Sequence, residues 1–228
     1  MLKAFHHSTL REAGCDEAGR GCYAGPVFAA AVVLPADFYH PLLNDSKQVA
    51  PDIRIELRTF IESHALDYAV AWVDNEEIDR INILRASFKA MHLALNKLKS
   101  PPEFLLIDGH LFHRYKKIPH LCVIKGDGIY ASIAAASILA KTYRDDFMQR
   151  LHKKYPHYNW YNNKGYGTAE HRKGIEEHGL CPYHRRSFNI LPSQLDIFEN
   201  RELTTGNAME STTSSMDNGK WMAENNSN

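Results

Sequence analysis

Short apolar runs along the chain alternate with longer stretches in which apolar residues recur every three or four positions. Five runs have the length and branched side chains of buried strands: residues 11–18, 24–34, 66–74, 104–107 and 121–124. Apolar positions at helical spacing predict three main helices: residues 51–65, 75–99 and about 130–154. We expect Pro51 near the start of the first helix and Asn75 as the cap of the second.

The clearest chemical signal lies where the first predicted strand ends. Asp16 and Glu17 are followed almost at once by Gly19, Arg20 and Gly21. Carboxylate oxygens suit Mg²⁺ or Mn²⁺, whereas open glycine N–H groups and a guanidinium suit phosphate. The same residues also fit a polar turn that closes a hairpin. The apolar run that follows favours a metal site, because carboxylates that enter a core need a partner.

Two further predicted strands also deliver an acid at the end. Asp108 follows the run at 104–107, and Asp127 comes shortly after the run at 121–124. Each acid alone fits turn chemistry, since Asp-Gly is a common turn pair. Ligands bind at the carboxyl ends of parallel strands, so the repetition predicts that Asp108 and Asp127 converge there.

Composition predicts a globular chain and adds one regional bias. With 228 residues, 44% of them hydrophobic and 24% charged, one main domain is expected. The sequence shows no apolar stretch of the ~20 residues that a membrane span needs and no signal peptide, which predicts a cytoplasmic protein. The net charge of zero hides a basic segment at 141–190, with ten Lys or Arg, five Asp or Glu and nine aromatic residues. This composition fits either a nucleic-acid-binding surface or a solvated helix face.

The cysteines and the end of the chain carry weaker signals. Cys15, Cys22, Cys122 and Cys181 form no C-x-x-C pair and no zinc-like spacing with histidines, so we expect reduced thiols. Cys15 has no neighbouring histidine to act as a base, which favours a small buried residue over a nucleophile. Fifteen of the last 28 residues are Gly, Ser, Thr or Asn, which predicts a disordered tail at 201–228.

Seven short motifs, in order over about residues 10–190, resemble those of ribonuclease HII. They are D-E-A-G-R-G (16–21), N-D-S-K (44–47), I-D-G (107–109), K-G-D (125–127), S-I-A-A-A-S-I-L-A-K (132–141), K-G-Y-G-T (164–168) and H-R-R-S-F (184–188). The resemblance implies an α/β, RNase H-like fold, with a mixed β-sheet flanked by helices. The catalytic domain would span 1–200 and include a C-terminal helical region at about 155–190 that contacts substrate.

The resemblance also implies an activity. The chain would be an endoribonuclease that hydrolyses the RNA strand of RNA–DNA hybrids. It would also nick on the 5′ side of single ribonucleotides embedded in duplex DNA, leaving 3′-hydroxyl and 5′-phosphate ends. We expect a monomer that has no contact with membranes. Primer removal and ribonucleotide repair both stay open as its main task, and so does docking of a replication protein on the tail.

Site residues follow from the matched motifs. The resemblance assigns catalysis and metal binding to Asp16, Glu17, Asp108 and Asp127, which would hold two Mg²⁺ or Mn²⁺ ions. Backbone groups of Gly19, Arg20 and Gly21 would contact the ribonucleotide at its 2′-hydroxyl, and Tyr166 would pack on the adjoining deoxyribose. Candidate phosphate contacts are Lys47, Lys141, Arg144, Lys164, Arg185 and Arg186.

One departure and two alternatives stand beside this interpretation. His110 occupies a position where the family usually has Asn, which leaves Asp108 intact but changes its surroundings. Ser132 and Ser137 are interpreted as structural residues of a packed helix. A type-III hybrid ribonuclease would prefer longer RNA stretches, and the Gly-Arg-Gly loop counts against it. An inactive nucleic-acid-binding module of the same fold is the other alternative, and the presence of all four acids counts against that one.

Overall fold

A five-stranded mixed sheet organises the chain, which the computed structural model describes at residues 2–44, 46 and 48–190. The strands are β1 (Glu12–Ala18), β2 (Val27–Val33), β3 (Asp67–Val73), β4 (Phe104–Asp108) and β5 (His120–Val123). Their spatial order is β3-β2-β1-β4-β5. β2 is antiparallel to both β1 and β3, whereas β1, β4 and β5 run parallel. The five predicted strands and the mixed sheet are confirmed.

Helices cover the sheet closely. Among the described residues they are α1 (Pro51–His64), α2 (Asn75–Ile81), α3 (Ile83–Lys97), α4 (Ala131–Lys154), α5 (Trp160–Asn163) and α6 (Ala169–His178). All seven residues of β2 are buried, α3 packs on β2 and β3, and α4 packs on β1 and β2. A Cβ atom on Gly14 of β1 would lie 2.3 Å from the backbone carbon of Ser132. The small residues of α4 therefore let its backbone approach the strand that carries Asp16.

The single helix predicted over 75–99 is wrong, because the chain breaks at Asn82. This residue has a φ of 67° and separates α2 from α3. Its side chain accepts a hydrogen bond from the backbone N–H of Arg85 at 3.1 Å, which caps the second helix. Apolar spacing continues across this position, so the hydrophobic pattern alone does not show the break.

The predicted cap at Asn75 is also wrong. Asp74 is the N-cap of α2, and its carboxylate accepts from the backbone N–H of Glu77 at 2.8 Å. Asn75 lies inside the helix, where its side-chain amide donates to the carbonyl oxygen of Pro182 at 2.8 Å. The residue that resembled a cap thus fastens α2 to the segment that precedes the H-R-R-S-F motif.

The predicted C-terminal helical region is confirmed as a series of short helices. A 3-10 turn at Pro156–Tyr158 precedes α5 and α6. The described residues up to Ser187 form one compact unit. Among these helices, none is both long enough and apolar enough to cross a bilayer. The predicted end of the catalytic domain at 200 and the tail at 201–228 lie outside the described residues and stay predictions.

Candidate active site

Two of the predicted acids end neighbouring parallel strands. In the β1–β4 register Cys15 lies opposite Ile107, so Asp16 and Asp108 follow side by side. Opposed residues of a parallel pair point to the same face of a sheet. Strand pairing therefore brings these two carboxylates together, although 91 residues separate them in the sequence.

The carboxylate of Asp16 lies in an unfavourable electrostatic environment. Its residue is only 6% exposed. Burial raises the pKa of Asp16 well above its usual range, and the charges of Glu17 and Asp108 raise it further. Hydrogen bonds from the Ser137 hydroxyl and from the backbone N–H of Glu17 act in the opposite direction on this pKa. A nearby cation would favour the ionised carboxylate, because positive charge offsets both desolvation and repulsion.

Glu17 borders a surface depression at the same end of the sheet. Its carboxylate accepts from the guanidinium of Arg20 at 3.0 Å. Asp108 and His110 line the same depression, together with α3 residues that include Ser87. The residue that departs from the family pattern therefore faces the same space as two of the predicted ligands.

The turn that carries Asp127 is linked to Asp108 through the backbone. Asp127 is 3% exposed and lies in a 3-10 turn at Gly126–Gly128, directly after β5. The N–H of Gly126 donates to Oδ1 of Asp108 at 2.7 Å. In the part of the chain that the structure describes, no three acidic, histidine or cysteine side chains form a ready metal-binding group. The assignment of the four acids as metal ligands stays a prediction.

The 19–26 loop, which follows β1, is held between two distant segments. Cys22 forms an antiparallel backbone bridge with Tyr166, and Ala24 forms one with His184. The side chain of Tyr166 stays accessible, since the residue is 45% exposed. The loop and Tyr166, which the sequence motifs assign to neighbouring sugars, therefore belong to one backbone-linked unit.

Two of the residues predicted to contact phosphate are buried in this structure. Arg144 is 1% exposed and Arg185 is 0% exposed. Both guanidinium groups donate to backbone carbonyl oxygens beneath the 19–26 loop. A phosphate on the surface cannot reach them without displacing that loop.

The other predicted phosphate contacts have different surroundings. Lys141 donates to a carboxylate oxygen of Asp145 at 2.6 Å, and burial lowers the pKa of Lys141. Lys164 donates to the carbonyl oxygen of Tyr161, and Arg186 is exposed. Their role at phosphates stays a prediction. Lys47 lies outside the described residues.

Sequence reasoning missed the role of one serine. Ser137 was expected to be purely structural, yet its hydroxyl lies 2.8 Å from the hydroxyl of Ser46 and acts to lower the pKa of Asp16. The contact with Ser46 distinguishes Ser137 from Ser132, whose hydroxyl has no partner among the described residues, and the amino-acid sequence alone does not reveal it. The prediction for Cys15 is confirmed, since the residue is fully buried and burial raises the pKa of its thiol.

Comparisons with known proteins agree with this geometry. The family model described as Ribonuclease HII matches residues 13–191. Ribonuclease HII of Bacteroides thetaiotaomicron is 62% identical over 191 residues, which cover 84% of this chain and 96% of that protein. The crystal structure of ribonuclease H2 from Pyrococcus horikoshii OT3 has a TM-score of 0.69 at 26% identity, over 85% of this chain and 99% of that one.

A more distant structure shares the fold. Bst-RNase HIII in complex with Mn²⁺ has a TM-score of 0.67 at 22% identity, over 83% of this chain and 70% of that one. The matched region contains the strand ends that hold Asp16 and Asp108, the 19–26 loop and the segment around Tyr166. By its sequence over most of its length, and with a fold that agrees, the chain belongs to the ribonuclease HII family.

Proposed function

We propose that this chain is a divalent-metal-dependent endoribonuclease that cuts the RNA strand of RNA–DNA hybrids. It also nicks duplex DNA on the 5′ side of a single embedded ribonucleotide. The observation that carries the proposal is the β1–β4 register, which sets Asp16 beside Asp108 just ahead of the 19–26 loop. Membership of the ribonuclease HII family supports the same activity.

The acids at the strand ends have the chemistry of ligands for hard divalent cations. Asp16, Glu17, Asp108 and Asp127 offer carboxylate oxygens, which Mg²⁺ and Mn²⁺ prefer. Burial, together with repulsion from Glu17 and Asp108, raises the pKa of Asp16, and a bound cation relieves that cost. Two bound ions supply activation of a water and stabilisation of the leaving oxygen in an in-line displacement. Ser137 orients the Asp16 carboxylate through its hydroxyl.

Recognition of the substrate is assigned to the unit formed by the loop and Tyr166. Backbone N–H groups in residues 19–21 donate to the 2′-hydroxyl oxygen, which deoxyribose lacks. Tyr166, half exposed and bridged to Cys22, packs on the deoxyribose that follows. The two contacts together select a 5′-RNA–DNA-3′ junction. Because water attacks without a covalent intermediate, the products carry a 3′-hydroxyl and a 5′-phosphate.

A nicking assay tests the proposal directly. The substrates are a DNA duplex with one embedded ribonucleotide, the all-DNA duplex of the same sequence, and a long RNA–DNA hybrid. With Mg²⁺ or Mn²⁺ we expect one nick 5′ of the ribonucleotide, cuts along the hybrid and no cut in all-DNA, and EDTA should stop both reactions. Activity on the long hybrid alone would point to a type-III preference. Binding without any cut would point to an inactive module, and either result contradicts the proposal.

A pair of matched variants tests whether Asp108 acts as a metal ligand. Asp108→Asn should lower the cleavage rate by more than about a hundredfold, as expected for loss of a metal ligand worth several kcal/mol. Asp146→Asn is the control, because Asp146 pairs with Arg58 at 2.6 Å and takes no part in the proposed chemistry. Equal effects of the two variants would contradict the assignment of Asp108.

A further inference from the structure

A buried guanidinium lies directly beneath the 19–26 loop. Arg185 donates to the carbonyl oxygen of Gly19 at 2.7 Å, of Arg20 at 2.8 Å and of Gly25 at 3.0 Å. Nε, Nη1 and Nη2 each make one of these bonds. One rigid, planar group therefore fixes both ends of the loop.

Arg144 extends the same arrangement. It donates to the carbonyl oxygens of Ala24 at 3.1 Å, Pro26 at 3.0 Å and Lys164 at 2.8 Å. Gly19 has a φ of 94°, and a Cβ atom there would lie 2.0 Å from Nε of Arg144. The loop backbone thus sits against this guanidinium without room for a side chain.

The direction of the carbonyl groups determines the direction of the neighbouring N–H groups. The described peptide bonds are all trans, and in a trans peptide the C=O of one residue and the N–H of the next point in opposite directions. Because Arg185 draws the carbonyls of Gly19 and Arg20 inward, the N–H groups of Arg20 and Gly21 point away from it. Neither N–H donates to any acceptor among the described residues. The loop therefore presents two adjacent, unused backbone donors on the side opposite the arginines.

Stability alone does not explain this arrangement. Burying two neighbouring cations costs free energy, and burial followed by the charge of Arg144 lowers the pKa of Arg185 to about 9. Loop carbonyls on a surface can be satisfied by water at less cost. The guanidinium groups instead hold the 19–26 loop in a single backbone conformation.

We propose that Arg185 is a positioning residue for recognition of the ribonucleotide. By holding the carbonyls of Gly19 and Arg20, it aims the N–H groups of Arg20 and Gly21 at the oxygen of a 2′-hydroxyl. Arg144 supports the same loop from the Ala24 side. This inference rests on the proposed function, because it explains how that site tells ribose from deoxyribose.

Arg185→Lys tests the proposal with the charge retained. One ammonium group cannot reach three separated carbonyl oxygens, so the loop loses its fixed conformation. We expect kcat/KM for the duplex with one ribonucleotide to fall about tenfold, the effect of losing roughly one hydrogen bond. The inhibition constant of the all-DNA duplex, used as a competitor, should stay unchanged, because phosphate contacts set it. Arg58→Lys is the matched control, since Arg58 is a largely buried arginine that pairs with Glu62 and Asp146 instead.

The outcomes are distinct. If the wild-type protein fails to nick the ribonucleotide duplex, the proposed function fails. If the wild type nicks it but folded Arg185→Lys keeps its kcat/KM, the positioning role fails. A parallel loss of kcat/KM and of all-DNA inhibition in a folded variant also contradicts the proposal, because it shows a general loss of substrate binding.

A measurement on the unaltered protein keeps the proposal testable should Arg185→Lys not fold. With ¹⁵N-glycine labelling, the Gly21 amide should exchange quickly with solvent. Its NMR signal should shift when the ribonucleotide duplex is added, and much less with all-DNA. A Gly21 amide that is protected from exchange, or that responds equally to both duplexes, overturns the inference.

Discussion

At the scale of single residues, the Asp16 carboxylate lowers the stability of the fold in order to serve the site. Burial and the charges of Glu17 and Asp108 disfavour its ionised form and therefore raise its pKa. Asp16→Asn removes that charge but keeps an oxygen that can accept from Ser137. We expect cleavage to be lost, while the free energy of unfolding in EDTA at pH 8 rises by about 1–2 kcal/mol. Urea unfolding of both proteins measures the gain, and either a less stable variant or residual metal-dependent cutting contradicts the prediction.

Two buried serines of α4 allow a test of whether a hydroxyl group orients Asp16. The Ser137 hydroxyl lies 2.8 Å from the Ser46 hydroxyl and acts to lower the pKa of Asp16, whereas the buried hydroxyl of Ser132 has no hydrogen-bond partner among the described residues. Ser137→Ala should lower kcat about tenfold with little change in KM, since it removes roughly one oriented hydrogen bond. Ser132→Ala should leave kcat unchanged and slightly stabilise the fold. Steady-state kinetics of the two variants decide, and equal values of kcat would show that Ser137 does not orient Asp16.

At the scale of elements, apolar spacing locates strands because each strand buries both faces or one face along its whole length. It does not locate the break at Asn82, because the apolar period continues from α2 into α3 and only a backbone angle ends the first helix. The acids at strand ends could be predicted, since parallel strands end at one edge of a sheet. The buried positions of Arg144 and Arg185 could not be predicted, because the sequence around an arginine beneath a loop resembles the sequence around an arginine on the surface.

The break between α2 and α3 gives a prediction that is independent of the site. Asn82 adopts a φ of 67° and a ψ of 162°, a region that favours glycine, and its side chain caps α3. Asn82→Ala loses the cap and keeps the strain, so the free energy of unfolding should fall by about 1 kcal/mol. Asn82→Gly relieves the strain and should be at least as stable as the wild type. Thermal unfolding separates them, and a glycine variant less stable than the alanine variant contradicts the assignment of strain.

At the scale of the whole molecule, two buried histidines join the C-terminal helices to the segment of Tyr166. Trp160 donates from Nε1 to Nε2 of His171 at 2.9 Å, so the His171 proton lies on Nδ1 and bonds the carbonyl oxygen of Tyr166 at 2.9 Å. The backbone N–H of Cys181 donates to Nδ1 of His184 at 3.0 Å, which leaves the His184 proton on Nε2, 3.1 Å from Nε2 of His171. Both imidazoles must therefore be neutral, with one tautomer each.

If either imidazole took up a second proton, the new N–H group would find no hydrogen-bond acceptor in this network. The groups that surround the pair are the rings of Tyr23, Tyr158 and Trp160, the imidazole of His157 and the segment of Cys181. Burial, together with the charges of His171 and His157, lowers the pKa of His184 to about 3. Burial also lowers the pKa of His171. Protonation of His171 at Nε2 would break its bonds with Trp160 and His184. Protonation of His184 at Nδ1 would break the bond from the backbone N–H of Cys181.

The fold should therefore lose stability as the pH falls below the pKa of an unfolded histidine, about 6.5. Between about pH 6.5 and 3 the unfolded chain binds a proton at His184 that the folded chain does not, so acid favours unfolding. From pH 7.5 to 5.5 this residue alone should lower the free energy of unfolding by about 1.4 kcal/mol.

His184→Gln keeps one donor and one acceptor but does not titrate, so its loss of unfolding free energy over the same pH range should be smaller by that amount. Urea unfolding of both proteins at the two pH values gives the difference, in which contributions from the other histidines and carboxylates cancel. Equal pH dependence of wild type and variant would mean that His184 is not held neutral in the folded chain.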